Sequence, residues 1–147
     1  MKWLIALTVI AVLGGMAYVV AGFKQALDET GKERPVACSK AMAGIGWELP
    51  GNASDQRCTE VGGLFPPTWS GSFRIPRADA RSWLASLPGD RSRPVNGAGP
   101  DGIAEREKGL NLSIDHPPGR PQVDVVSVEV RWEGKDSAVV TFETFDY

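Results

Sequence analysis

The apolar residues of the chain follow two patterns, one continuous run near the N-terminus and several alternating stretches after it. The run covers residues 3–23, WLIALTVIAVLGGMAYVVAGF, and no charged residue lies between Lys2 and Lys24. As a helix with a rise of 1.5 Å per residue it would be roughly 31 Å long, about the thickness of the hydrocarbon core of a bilayer. The run has no polar face at helical spacing. It therefore predicts a transmembrane signal anchor.

A cleaved signal peptide is the alternative interpretation of the same residues. Lys2 supplies a basic start, and Val19-Val20-Ala21 fits the small-residue pattern of a cleavage site. The run is longer than the roughly 7 to 15 apolar residues of such a peptide, which favours an anchor that is retained. Secretion after cleavage near Ala21 stays open as the second interpretation.

Two opposing signals bear on the orientation of the anchor. The N-terminal flank carries only Lys2, whereas the C-terminal flank carries three basic residues, Lys24, Lys32 and Arg34. By the positive-inside rule this count favours a C-terminus in the cytoplasm. A short basic start followed at once by an apolar run is nevertheless the usual form of an export signal. Because the cysteines described below also suit an exported domain, we expect the C-terminal domain to lie outside the cytoplasm.

Alternating apolar and polar positions predict four or five strands in the rest of the chain. Phe73 and Ile75 point to one face of the predicted sheet. Ser72 and Arg74 point to the other face. The stretches with strand character are residues 56–61, 70–75, 110–115, 126–132 and 137–145. Residues 133–136, EGKD, predict the loop of a hairpin between the last two stretches.

One helix is predicted at residues 76–87. Pro76 suits the first turn because the N–H that it lacks would have no partner there, and Asp79 lies near the positive end of the helix dipole. The apolar residues that recur at helical spacing are Ala80, Trp83, Leu84 and Leu87. They form a stripe that we expect to face the core, and Pro88-Gly89 ends the helix. Residues 40–46 predict only a short helical turn.

These elements predict an α+β fold in three parts. Residues 1–23 are the single transmembrane signal anchor, residues 24–37 a polar stalk, and residues 38–147 an extracytoplasmic domain. The domain is expected to contain a small antiparallel sheet of four to five strands with the one helix packed on it. The roughly 124 residues after the anchor suffice for one hydrophobic core and are too few for two.

Cys38 and Cys58 are the only cysteines of the chain. An even pair in an exported domain indicates a disulfide. It would close a loop of about 20 residues and contribute roughly 3 kcal/mol in the chain-entropy model. A buried reduced pair and a redox pair remain as alternatives, although no C-x-x-C spacing supports the latter. With one histidine, His116, the chain offers too few ligands of the usual kinds for a zinc site.

Charge and motifs argue against several classes of function. Beyond Lys2 the chain has 18 acidic and 15 basic residues, so it lacks the basic stripe that binds nucleic acid. It contains no G-x-S-x-G elbow, no phosphate-binding Gly loop and no HExxH motif. A Ser-His-Asp triad would need His116, which precedes Pro117-Pro118. We therefore expect no catalytic residues, no cofactor, no metal ion and no enzymatic activity.

Residues 88–109 predict a long loop. They include five glycines and three prolines, and a loop of this length in a compact domain is functional or disordered. Arg91 and Arg93 are candidates for holding an anion. The loop is therefore the candidate site for a small ligand or a peptide.

The segments GIGWELPGNASD and FRIPRADARSWLASLPG, together with the C-terminal hairpin, carry a resemblance to known sequences. They resemble uncharacterised small membrane-anchored or exported proteins of actinobacteria. The shared pattern covers roughly residues 45–89, just under a third of the chain. The resemblance implies a compartment and an α+β fold, and it carries no functional residues.

The leading hypothesis is a single-pass, membrane-anchored, extracytoplasmic accessory or interaction protein. Membrane lipid is then the partner of residues 3–23, and an envelope protein is the expected further partner. Two alternatives stay open: an envelope ligand- or peptide-binding module that uses residues 88–109, and a secreted protein after cleavage near Ala21. An enzyme is the least favoured class.

Overall fold

The computed structural model describes residues 2–120 and 123–147, and the side chains of residues 2–14 and 17 lie outside the described part. Three helices and seven strands follow one another along the chain. They are α1 (Lys2–Glu29), β1 (Glu33–Val36), α2 (Cys38–Ile45), β2 (Ser54–Val61), β3 (Thr68–Pro76), α3 (Arg77–Ser86), β4 (Ala104–Arg106), β5 (Gly109–Asp115), β6 (Val125–Glu133) and β7 (Ser137–Phe145).

The seven strands form one antiparallel sheet with the order β1-β2-β3-β7-β6-β5-β4. The chain builds two meanders, β1 to β3 and β4 to β7, and joins them where β3 pairs with β7. Between the two meanders it runs through α3 and the long loop after it. The shortest strands, β1 and β4, form the two edges of the sheet. Short edge strands, here with Pro35 in β1, pair poorly with other chains.

The hydrophobic core lies on one face of the sheet, under α2 and α3. In β6 and β7 every second residue is buried, because successive side chains of a strand point to opposite faces. The buried residues of these strands are Val126, Val128, Val130, Ala138, Val140, Phe142 and Thr144. Leu112 and Ile114 of β5 and Phe73 of β3 continue the same apolar layer. Burial of this layer drives the packing of the helices on the sheet.

Helix α3 covers the centre of this apolar layer. Ala80 and Leu84 are completely buried, and the ring of Trp83 meets the ring of Phe73 edge-on at 5.5 Å between centroids. The helix begins directly after β3, with Pro76 as its N-cap residue. The spacing of Ala80, Trp83 and Leu84 is thus the reason that this segment packs as a helix.

Helix α2 covers the part of the sheet formed by β2 and β3. Ala41, Met42 and Ile45 are completely buried. The helix ends at Gly46, which has a φ of 83° and donates its N–H to the carbonyl of Ala43. Glycine reaches this left-handed conformation without the steric cost that other residues pay, so it ends the helix sharply.

The predicted disulfide between Cys38 and Cys58 is confirmed. It joins the first residue of α2 to the middle of β2, and both sulfur-bearing side chains are buried. No free cysteine remains in the described chain. The bond therefore fixes α2 to the sheet near the edge that β1 forms.

The predicted fold class is wrong in its count of elements. The sheet has seven strands in place of four or five, and two helices pack on it in place of one. Strand β1 lies in the segment assigned to the stalk, and β4 lies in the segment assigned to the long loop. Both strands are short and lack apolar alternation, so they depend on their neighbours β2 and β5 for pairing.

The structure also contradicts the predicted transmembrane helix. Within the part of the chain that the structure describes, no helix combines the length and the apolarity that crossing a bilayer requires. The prediction was based on residues 3–23, of which residues 3–14 and 17 have side chains outside the described part.

Candidate functional site

The face of the sheet opposite α2 and α3 carries polar side chains, and we call it the open face. Two neighbouring rows of residues cross five strands of this face. One row is Thr59, Ser70, Glu143, Ser127 and Ser113, and the other is Arg57, Ser72, Thr141, Glu129 and Asn111. Each row follows the strand register, so its members are direct neighbours across the sheet. All ten side chains are polar.

The alternation of each strand explains this composition. Thr141 is exposed and lies between the buried Val140 and Phe142. Glu129 is likewise exposed between Val128 and Val130. The apolar positions that build the core thus determine which positions face outward.

The open face is hollowed into a groove of about 700 Å³ over β1, β2, β3 and β7. The polar lining of the groove includes Gln56, Arg57, Thr59, Ser70, Ser72, Thr141 and Glu143, and Pro35 and Val36 border it on the β1 side. Thr59, Ser70 and Ser72 are half-buried. The hydroxyl oxygens of Thr59 and Ser70 are hydrogen-bonded at 2.9 Å. The groove therefore presents closely spaced hydroxyl donors and acceptors.

A second hollow of about 360 Å³ shares Arg57 and Ser72 with the groove and continues it across the sheet. Arg74 lies in this hollow and forms salt bridges with Asp55 and, at 2.8 Å, with Glu133. Arg131 lines the same hollow. Among the described residues neither Arg57 nor Arg131 enters a salt bridge. These two guanidinium groups are the cations that this surface offers to a partner.

Glu60 lies on β2 next to the groove but belongs to the face that α2 covers. Its carboxylate accepts a hydrogen bond from the indole N–H of Trp69 at 3.1 Å and pairs with Lys40 of α2 at 3.1 Å. The hydrogen bond from Lys40 is the main cause that lowers the pKa of Glu60 below its ordinary value of 4.5. This contact joins α2 to the sheet on the same side as the disulfide.

The groups that the open face presents form hydrogen bonds or carry charge. His116, the sole histidine, is exposed in the turn after β5 and has a φ of 47°. In the described part of the chain, no group of three or more His, Cys, Asp or Glu residues is placed to hold a metal ion. The face thus offers hydroxyls, two glutamates and two arginines for contact.

The long loop 88–109, the candidate binding loop from the sequence, is attached to the domain through its arginines. Arg91 donates to the backbone carbonyls of Leu84 and Leu87 at the end of α3, at 3.0 and 2.8 Å, and to that of Asp101 at 2.7 Å. Arg93 pairs with the buried carboxylate of Asp115 at 2.7 Å. Both candidate anion-binding guanidinium groups therefore have partners within the domain.

Sequence reasoning selected no residue of the open face as a site. The signal was present in part, because the strand alternation already separated Ser72 and Arg74 from Phe73 and Ile75. The sequence did not show that β3 pairs with β7, and only this pairing places Ser72 next to Thr141. Without that pairing, the polar positions of β3 and those of β7 could not be assigned to one surface.

Comparison with known proteins gives no relative from which a function can be transferred. No family model matches the chain, and no curated protein and no solved structure matches it. The functional argument therefore rests on the open face and on the disulfide.

Proposed function

We propose that this protein is an accessory interaction module that works outside the cytoplasm and contacts an envelope protein through its open face. The single observation that carries the proposal is the shape and composition of that face, a polar groove of about 700 Å³ opposite a fully packed core. The module acts by binding and not by catalysis.

The compartment in this proposal is supported by the disulfide. The bond between Cys38 and Cys58 fixes α2 to β2, and structural disulfides persist in oxidising compartments. The apolar N-terminal residues supply an export signal, and membrane lipid is the proposed partner of residues 3–23.

The chemistry of the groove indicates the kind of contact. Each hollow has the volume of a ligand site, which is roughly 300 to 1,000 Å³. Here hydroxyl, carboxylate and guanidinium groups lie beside apolar parts of the lining. A protein surface that supplies matching donors and acceptors pairs with these groups, which an apolar small molecule does not do.

Photo-crosslinking in intact cells tests the proposal. A photoreactive amino acid replaces Ser72 in the groove, and in a matched control it replaces Ala85, which is exposed on α3 on the opposite side of the domain. We expect a discrete crosslinked protein from position 72 and none from position 85. The proposal fails if position 72 gives no adduct, or if position 85 gives the same adduct in equal yield.

A further inference from the structure

Large exposed apolar side chains of residues 24–147 are concentrated at one end of the domain. Within the described part of this range they are Leu27, Leu64, Phe65, Phe145 and Tyr147. Leu64 and Phe65 form the turn between β2 and β3 and are 53% and 74% exposed. We call these two residues the apolar tip.

The apolar tip lies beside the C-terminal end of α1. The N–H of Gly31, just after α1, donates to the carbonyl of Gly62 at 3.1 Å. Phe65 lines one small hollow of about 200 Å³ together with Thr30 and Asp146. The tip, the end of α1 and the last residues of the chain therefore share one end of the molecule.

The backbone on both sides of the apolar tip is constrained. Gly63 has a φ of 140°, and a Cβ at this position would lie 2.6 Å from the Cα of Thr30. Pro66 and Pro67 follow the tip and restrict the backbone dihedrals there. The two apolar side chains are thus presented at a set position relative to α1.

Helix α1 itself carries further exposed apolar residues. Met16, Tyr18, Val19, Val20 and Phe23 are each more than half exposed. Soluble monomeric proteins rarely leave contiguous apolar surface of this extent uncovered. Leucine and aromatic residues at the border of a longer apolar segment are typical of the lipid–water interface.

We propose that the apolar tip, Leu64 and Phe65, inserts into the lipid–water interface of the membrane beside α1. A lipid surface fits better than a protein partner because the tip lies beside the C-terminal end of the helix that carries these uncovered apolar residues. The tip then gives the domain a second lipid contact besides α1, and two contacts fix its orientation on the bilayer. This proposal rests on the proposed lipid contact of residues 3–23 and does not depend on what the open face binds.

Charge near the apolar tip indicates which force drives the insertion. Residues 24–34 contain three basic and three acidic residues, and Glu29 pairs with both Lys32 and Arg34. No excess of positive charge attracts anionic lipid headgroups. Burial of apolar surface is therefore the driving force, so the contact is insensitive to salt and needs no anionic lipid.

Lipid quenching of a dye tests the position of the tip in the full chain. The dye is attached in Phe65→Cys, and in a matched control in Lys135→Cys in the exposed β6–β7 turn, with both proteins in phosphatidylcholine vesicles that contain spin-labelled lipid. We expect several-fold stronger quenching at position 65, unchanged between about 0.1 and 1 M salt, where the screening length falls from roughly 10 to 3 Å. Equal quenching at the two positions would overturn the proposal. So would a blue-shifted dye at position 65 without lipid quenching, because protein and not lipid would then cover the tip.

A second measurement avoids the added cysteine. The unmodified chain is irradiated in the same vesicles with a photolabel carried in the lipid acyl chains, and the labelled peptides are identified. We expect label in α1 and in the peptide that contains Leu64 and Phe65, and none in the peptide with residues 134–136. Label in α1 alone, or in neither segment, would contradict the lipid contact of the tip.

Discussion

Glu60 shows how one carboxylate connects a helix to the sheet. Its oxygens take a hydrogen bond from the Trp69 indole and an ion pair from Lys40, and Lys40 is the largest cause of its lowered pKa. Because the pKa is lower in the folded state, the pair stabilises the fold at pH values above the unfolded pKa of Glu60. That contribution is lost as the pH falls through the folded pKa.

Removal of Lys40 should therefore raise the pKa of Glu60. In Lys40→Met we expect the pKa to move up toward 4.5, as followed by an NMR titration of the Glu60 carboxyl carbon. The exposed control Lys135→Met should leave the titration unchanged. An unchanged titration in Lys40→Met would show that the ion pair does not form in solution.

A substitution at Gly44 tests whether packing or helix propensity has the larger effect on the stability of the fold. Alanine in a helix is favoured over glycine by about 1 kcal/mol. At Gly44 of α2, however, a Cβ would lie 2.5 Å from the indole ring of the buried Trp69. Overpacking of this kind costs roughly 1 to 3 kcal/mol, so the clash outweighs the propensity.

We therefore expect Gly44→Ala to lower the free energy of unfolding by up to about 2 kcal/mol, measured by denaturant titration. Gly51→Ala is the matched control, because nothing lies within 4 Å of a Cβ at that position. It should stay within about 0.5 kcal/mol of the parent chain. A stabilised Gly44→Ala variant would mean that α2 lies farther from Trp69.

At the scale of elements, the disulfide and the α2 contacts hold the β1–β3 meander against its helix. The bond closes the chain between Cys38 and Cys58, a separation of 20 residues. Removal of both sulfur atoms in Cys38→Ala/Cys58→Ala should lower the free energy of unfolding by about 3 kcal/mol in the chain-entropy model. Denaturant titration of the variant against the parent measures this difference.

Thiol labelling of the denatured, unreduced parent protein is the companion measurement. It should find no reactive cysteine before reduction and two after it. Two reactive thiols before reduction would rule out the bond and remove the main support for an oxidising compartment.

The strands differ in how far the sequence determined them. Residues 126–132 and 137–145 were predictable, since their alternation requires one buried and one exposed face. Helix α3 was predictable from the spacing of its apolar stripe. Strands β1 and β4 were not, because Glu33–Val36 and Ala104–Arg106 are short and mostly polar, and pairing with β2 and β5 makes them strands. Helix α2 exceeded its predicted single turn because four of its side chains are buried.

The whole molecule is a sheet with one packed face and one open face. The polar half of each strand was predictable from alternation, but the open face as a surface was not. It requires β3 and β7, which are far apart in sequence, to be neighbours. The long loop 88–109 was the candidate site of the alternative ligand- or peptide-binding hypothesis, and its arginines instead hold it to α3 and β5.

The open face is thus the central claim at this scale, and steric blocking tests it most directly. The captured envelope partner is titrated with Thr141→Trp, which fills the groove from β7, and with Ala85→Trp, which adds the same ring on the exposed side of α3. We expect Thr141→Trp to weaken binding at least tenfold, about 1.4 kcal/mol, while Ala85→Trp binds as the parent does. Parent-like affinity in Thr141→Trp, with Ala85→Trp weakened, would place the interaction surface on the helical side and contradict the account.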